Sequence, residues 1–295
     1  MRYSIAFTAA ALASSVSAHG VITAVQGANG VTMPGLSIID GTPRDSGNPL
    51  SGSEADTSII RTKEMGGKAS ALGRTQGGGP VDAAAAIATF MGGAGGAAGA
   101  SGAATGAKRG LLDALTGGGA GGAGAAAAGG AGAAGTKTAK GTKEAGVAAA
   151  AGAGASAGLP TTGDDGTITM TFHQVNQDGA GPLTAMIDAT SGGTDPAAFQ
   201  KATVTQNVPG IGIGGLSAAS SMDFPVKVQM PQGMTCQGSA GGASNVCVVR
   251  LQNAALAGPF GGSAAFTQST AAKKRAVEYN LRKRHFARGI LGKAE

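Results

Sequence analysis

Residues 166–176 read GTITMTFHQVN, and this stretch decides the fold class. Ile168, Met170 and Phe172 fall on one side of the run, with Thr167, Thr169, Thr171 and His173 on the other. Period-two alternation with a β-branched polar side predicts a half-buried strand. The same alternation at 224–231, FPVKVQMP, groups Phe224, Val226, Val228 and Met230. Outward from these two, GVITAVQG, TSIIRT, CVVRLQN and SAAFTQST read as further short strands between Gly, Pro and Asn turns. Only residues 80–92, PVDAAAAIATFMG, read as a helix, opened by Pro80 and Asp82. Many short strands with frequent turns predict an all-β fold, an immunoglobulin-like antiparallel β-sandwich with long loops.

The sandwich is written in two pieces, 19–91 and 159–270. Between them, residues 92–158 are nearly all Gly and Ala. Ala favours helix, but Gly costs about 1 kcal/mol at each helical position, and it recurs here every two or three residues. No apolar periodicity survives, so a disordered Gly/Ala-rich insertion is expected. The chain holds 55 Gly, no Trp and only 3% aromatic residues, so much of it cannot bury enough apolar area to order itself. Charge is segregated too. The whole chain is +6, and residues 273–295 alone carry eight Lys or Arg against two Glu. The tail, 271–295, reads as a solvated or processed basic extension, and the body is close to neutral; nucleic acid is not an expected partner.

Residues 1–18 have the three parts of a secretory signal. Arg2 gives the positive start, residues 5–12 an apolar run, and Val16-Ser17-Ala18 small residues for cleavage. The apolar run is shorter than the roughly 20 residues a bilayer span needs, and no later segment is a candidate. The expectation is a secreted, extracellular protein. In that setting Cys236 and Cys247, eleven apart, predict a disulfide, stabilising by roughly 2–3 kcal/mol in the loop-closure account.

Cleavage after Ala18 would make His19 the first residue of the mature chain, carrying an α-amine and an imidazole together. His173 lies on the polar side of the strand at 166–176. The amine, one ring nitrogen of His19 and one of His173 could converge as a T-shaped copper site with open positions, because amine and imidazole nitrogens suit Cu(II). Copper so held can activate dioxygen or peroxide, chemistry no side chain performs alone. The plainer alternative is an ordinary hydrogen-bonded strand histidine and an incidental cleavage position. His285, within RKRHFAR, reads as another solvated residue of the tail.

HGVITAVQGANG (19–30), FHQVNQDGAGPLTAMIDATSGG (172–193) and GPFGGSAAFTQ (258–268) resemble a family of fungal secreted proteins associated with appressoria and host penetration, the Gas/Mas-type, Egh-like virulence factors. The resemblance covers both folded pieces and the basic KKRAVEYNLRKR, but not the Gly/Ala insertion. The family is distantly similar to lytic polysaccharide monooxygenases, copper enzymes that oxidise chitin, cellulose and related polymers. The resemblance implies His19 and His173 as a copper histidine brace, with cell-wall polysaccharide, chitin or a plant wall polymer, as the possible partner. It further implies an aromatic residue on the axial side of the metal with a Gln nearby. Phe266 with Gln268 is the natural pair and Phe260 the alternative; ordinary core packing is the competing reading of each. Gln174 and Asp178 flank His173 and could orient it. The family pattern also runs closer to CxVRCxN…GPFGGC, so Leu251 and Ser263 stand where cysteines are expected, and a cysteine near Ala185 is missing. The loss of the cysteines expected at 251 and 263 together suggests one abandoned disulfide and lower stability.

Other chemistry is poorly supported. GIGIGG (210–215) follows NVPG rather than opening a helix after a strand, so it is no dinucleotide fingerprint. GRTQGGGP lacks the GK[ST] ending of a phosphate loop, and no nucleophile context surrounds His173. Three functions therefore compete: oxidation of wall polysaccharide, a non-catalytic secreted effector or wall-binding protein, and a copper carrier.

Overall fold

The computed structural model describes residues 19–93 and 134–291, apart from 178, 180, 211–216, 218 and 256–257. The leader, residues 94–133 of the insertion, Asp178 and most of GIGIGG lie outside the described residues. The first piece of chain supplies β1 (Gly20–Gln26), β2 (Thr32–Pro34), β3 (Ser58–Ile59), β4 (Arg74–Thr75), β5 (Gly79–Pro80) and helix α1 (Ala83–Phe90). Then come β6 (Thr136–Lys137) and the short helices α2 (Gly146–Ala150) and α3 (Gly154–Ala157). The second piece adds β7 (Thr167–Gln174), β8 (Thr184–Asp188), β9 (Phe199–Gln206), β10 (Met222–Gln229), β11 (Gly238–Ala240), β12 (Ala243–Gln252) and β13 (Phe260–Phe266). Helix α4 (Thr270–Leu291) closes the described chain.

The all-β antiparallel expectation holds, and the strand at 166–176 is β7. Its Ile168, Met170 and Phe172 are fully buried beneath a half-buried threonine side. The two-sheet immunoglobulin-like detail is not confirmed. Among the described residues the strands run in one hydrogen-bonded order, β2-β1-β7-β10-β9-β8-β12-β13-β3-β4-β5, with β9 pairing both β10 and β8. The sheet therefore curls through β9 into a half-barrel. Its two arms meet face to face where β1 crosses β13, and the core fills the space between them with Met170, Phe172, Val226, Val249, Leu251 and Phe266.

Glycine makes that meeting possible. A Cβ on Gly262 of β13 would lie 2.7 Å from the main-chain nitrogen of Ile22 on β1, closer than any side chain could sit. TSIIRT yields only the two-residue β3, and SAAFTQST stops being strand at Phe266. Strands β8 and β9 were not expected, because in TAMID the side with Thr184 also carries Met186 and the buried Asp188, and FQKATVTQ alternates irregularly.

The boundary of the insertion needs correction. Residues 134–158 are not a structureless spacer: they carry β6, α2 and α3 and are bound to the body. The reason is a set of charges that the Gly/Ala composition hides. Arg44, buried, donates to both oxygens of Asp56 and to Glu144 Oε2. Glu144 Oε1 in turn accepts from the Ala145 and Gly146 N–H groups, and Asp40 accepts from Val147 and Ala148. Carboxylates at a helix start satisfy its free N–H groups. Burial opposes the charge on Arg44, yet the two carboxylates more than offset it and hold its pKa above the ordinary value. The basic tail is also not simply solvated: it forms α4, seated on the body through Ala272 and Ala276, with Asn280 donating to Gly233 O.

Cys236 and Cys247 form the expected disulfide, Cα–Cα 5.1 Å, tying the approach to β11 onto β12. The pairing suggested for the missing cysteines is overturned by the register. Leu251 faces Gly262 on one side and Ala185 on the other, whereas Ser263 faces Arg250. Side chains at 251 and 263 thus point to opposite faces, and a bridge at this site would join 185 to 251.

Two outcomes follow for stability. Arg44→Ala leaves Asp56 buried without its partner and should cost about 3–5 kcal/mol, read from urea unfolding. Asp188 is buried, which opposes its charge, but the Ser191 hydroxyl and the N–H groups of Ser191, Thr190 and Gly193 hold its carboxyl below the usual range. A group whose pKa falls on folding stabilises at and above the unfolded value and loses that contribution as pH drops through the folded one. Asp188→Asn should therefore be destabilising at pH 7, with its deficit shrinking toward zero in acid, measured by melting across pH.

Candidate metal centre

Register brings the two histidines together. Strand β1 runs antiparallel to β7 with Val21 opposite His173 and Gly20 opposite Gln174, and the Val175 N–H donates to His19 O at 3.0 Å. His19 thus lies one diagonal step from His173 on the same sheet face. Such diagonal neighbours have α-carbons about 7–8 Å apart, within reach of two imidazoles sharing a small ion.

Each ring is held from behind. His173 is 1% exposed, and its Nδ1 lies 2.7 Å from Asp223 Oδ1, directly across the β7–β10 pairing. A carboxylate there assigns the proton to Nδ1 and leaves the lone pair on Nε2. Nε2 is buried with no hydrogen-bond partner. His19 is 2% exposed, and its main-chain nitrogen donates to Asn176 Oδ1 at 2.9 Å. Asn176 Nδ2 donates at 3.1 Å to Glu54 Oε1, which also lies 3.1 Å from His19 Nδ1. That last approach is a close charge contact lacking hydrogen-bond alignment, so both ring nitrogens of His19 remain unsatisfied. The Phe260 ring leans on His19 with centroids 4.5 Å apart and planes tilted by 38°. Gly179 packs against His19 so tightly that a Cβ on it would lie 1.8 Å from His19 O.

Buried polar atoms without partners are costly, and here three of them belong to two histidines that the strand register makes neighbours. Two imidazoles with free lone pairs, one oriented by a carboxylate, are a donor set suited to copper. Among the described residues no three His, Cys, Asp or Glu side chains converge as a metal group. The fit therefore rests on two imidazoles and the main-chain nitrogen of His19.

The remaining expected residues are placed elsewhere. Phe266 is six residues along β13 from Phe260, about 20 Å at strand rise, and packs in the core opposite Cys247. Gln268 accepts from Cys236 N and donates to Met234 O, so it fixes the loop beside the disulfide. Phe260, the alternative, is the aromatic at the site. Gln174 binds Asn176 O, Ser217 Oγ and Ala219 O, and so holds the neighbouring loop rather than His173. Glu54, Asn176 and Asp223 escaped the sequence reading. Only Asp223 had a usable signal, as the acid immediately before the second alternating run and in step with its polar side.

A family model described as Egh16-like virulence factor matches residues 17–261. The chain belongs to that family. This Egh16-like chain is 61% identical over 292 residues to the appressoria-specific virulence factor GAS2 of Pyricularia oryzae, covering 98% of this chain and 97% of that protein. It is also 39% identical to the appressoria-specific virulence factor GAS1 of the same fungus over 129 residues, 42% of this chain and 50% of that one. No solved structure matches.

The placement of the aromatics is open to a direct check. Phe260→Leu should shift the His19 imidazole resonances in NMR spectra through loss of its ring current, and Phe266→Leu should leave them in place.

Proposed function

We propose that this protein is a secreted appressorium-associated virulence factor whose His19 and His173 bind copper, and that it oxidises cell-wall polysaccharide. The names of its relatives support the first part, and the leader at 1–18 supports export. The observation that carries the copper reading is the pair of buried, partnerless Nε2 atoms on neighbouring positions of one sheet face. Cleavage after Ala18 would convert the His19 nitrogen from a peptide N–H into an amine with a lone pair, completing a three-nitrogen set. When bound, copper would supply one-electron chemistry toward dioxygen or peroxide, with an external reductant, for attack on chitin or a plant wall polymer.

The chain's own residues do the rest. Asp223 fixes the tautomer and ring orientation of His173. Asn176 anchors the His19 nitrogen, and the Glu54 carboxylate puts a negative charge beside the imidazole. Phe260 excludes water from one side of the ring. A second reading is favoured by burial: at 1% and 2% exposure the two histidines leave a polymer little direct access. That enclosure suits a copper carrier or a non-catalytic effector.

Electron paramagnetic resonance on copper-loaded protein, verified by mass to begin at His19, separates these readings. A nitrogen-rich Cu(II) signal that disappears in His173→Ala supports the pair as ligands; a signal indifferent to that change defeats it. Asp223→Asn should weaken copper binding about 10–100-fold in competition against a chelator. Reductant-dependent oxidised oligosaccharides from chitin or plant wall would select the oxidase over the carrier.

A further inference from the structure

The basic residues of α4 include two Lys-Arg pairs, Lys274-Arg275 and Lys283-Arg284. A third pair, Lys108-Arg109, lies outside the described residues. All four side chains of the helical pairs are exposed, so side-chain access does not separate them. The backbone does. A serine endoprotease takes its substrate extended, so cleavage acts on a locally opened chain and follows the ease of that opening.

Around Arg275 the body opposes unwinding. Ala272 and Ala276, on either side of the pair, are buried. Ala272, Arg275, Ala276 and Tyr279 share a concavity with Met230 and Gly233. Asn280 Nδ2 donates to Gly233 O at 2.9 Å, and a Cβ on Gly233 would lie 2.5 Å from Asn280 Oδ1. Beyond Asn280 these ties stop. Every side chain from Leu281 to Phe286 is exposed, Leu281 at 48% and Phe286 at 73%. Lys283 decides the point: it stands about two turns after Ala276 on the seated face of the helix, and it is exposed all the same. The helix has left the body by residue 283, and the turn with the second pair unwinds without drawing out a buried side chain.

We propose that the chain carries a processing site at the Arg284–His285 bond. A subtilisin-type endoprotease specific for Lys-Arg pairs cuts there before it cuts Arg275–Ala276. Water adds across the amide, its hydroxyl to the Arg284 carbonyl carbon and a proton to the His285 nitrogen. Residues 285–295 leave, and the seated half of α4 stays on the body. Such enzymes act along the export route proposed above, but the geometry does not depend on it.

The test uses the full mature chain with Arg109→Gln, which removes the pair in the insertion, made in a host without such an enzyme. Digestion with a purified Lys-Arg-specific endoprotease is followed by intact mass. Loss of 285–295 should run at least about tenfold faster than loss of 276–295, the difference made by releasing Asn280 and two buried alanines. The melting temperature should not change on loss of 285–295. Arg284→Gln should abolish the fast cut, and Arg275→Gln should leave it at full rate. A synthetic peptide of residues 270–291, free of the body, should be cut at both pairs at comparable rates. Equal or faster cleavage after Arg275, or resistance at both pairs, would overturn the site. The same preference in the free peptide, or a lowered melting temperature after the first cut, would overturn its structural origin.

Discussion

The structure depends on how closely β1 is enclosed. Its hydrogen-bonding edge is taken by β7, and its face is pressed against β13 where Gly262 leaves no side chain between the two backbones. Gly35 and Gly179 approach the same strand and its leading residue still more closely. Backbone packed on backbone leaves no slack for a register slip, and a slip of one residue would send every side chain of β1 to the other face. The position of His19 beside His173 follows from that confinement rather than from any contact between the histidines. Glycine in this protein therefore has two unrelated roles, bulk in the insertion and clearance in the body.

Charge supplies the second organising force. The body is nearly neutral, yet its buried ionic groups are concentrated where loops must be tied to a sheet that does not reach them. Arg44 with Asp56 and Glu144 joins segments about a hundred residues apart in sequence, and Asp188 gathers the turn that follows β8. In each case several donors converge on a carboxylate, the condition under which a buried charge is tolerated. A chain with few aromatics and no Trp relies on such local ties where a larger core would otherwise hold its loops.

These features explain which parts were legible in the amino-acid order. The alternations of β7 and β10 were plain because each strand has one wet and one dry side. Strands β8 and β9 turn the corner of the half-barrel, where a methionine and a buried aspartate on the polar side of β8 and a register shift at β9 blur the period. The same blurring favoured a two-sheet sandwich over one curled sheet. His19 and His173 stood out by chemistry alone, whereas Glu54, Asn176 and Asp223 became partners only through pairing between distant strands. Phe266 was preferred to Phe260 because a Gln stands near it in sequence, but along a strand six residues separate two ends of a domain. In residues 134–158 composition concealed Glu144 and the acids at 40 and 45 that receive the segment.

The Asn176 carbonyl accepts the His19 main-chain nitrogen whether that atom belongs to a peptide bond or to a free terminus. That hydrogen bond is thus compatible with either start of the chain. A recombinant protein carrying even one additional residue ahead of His19 should show the same sheet, the same disulfide and the same thermal unfolding as the trimmed form. Its first nitrogen, however, would be an amide whose lone pair is delocalised into the carbonyl. Conformational quality control cannot distinguish the two preparations; only the mass of the amino terminus can.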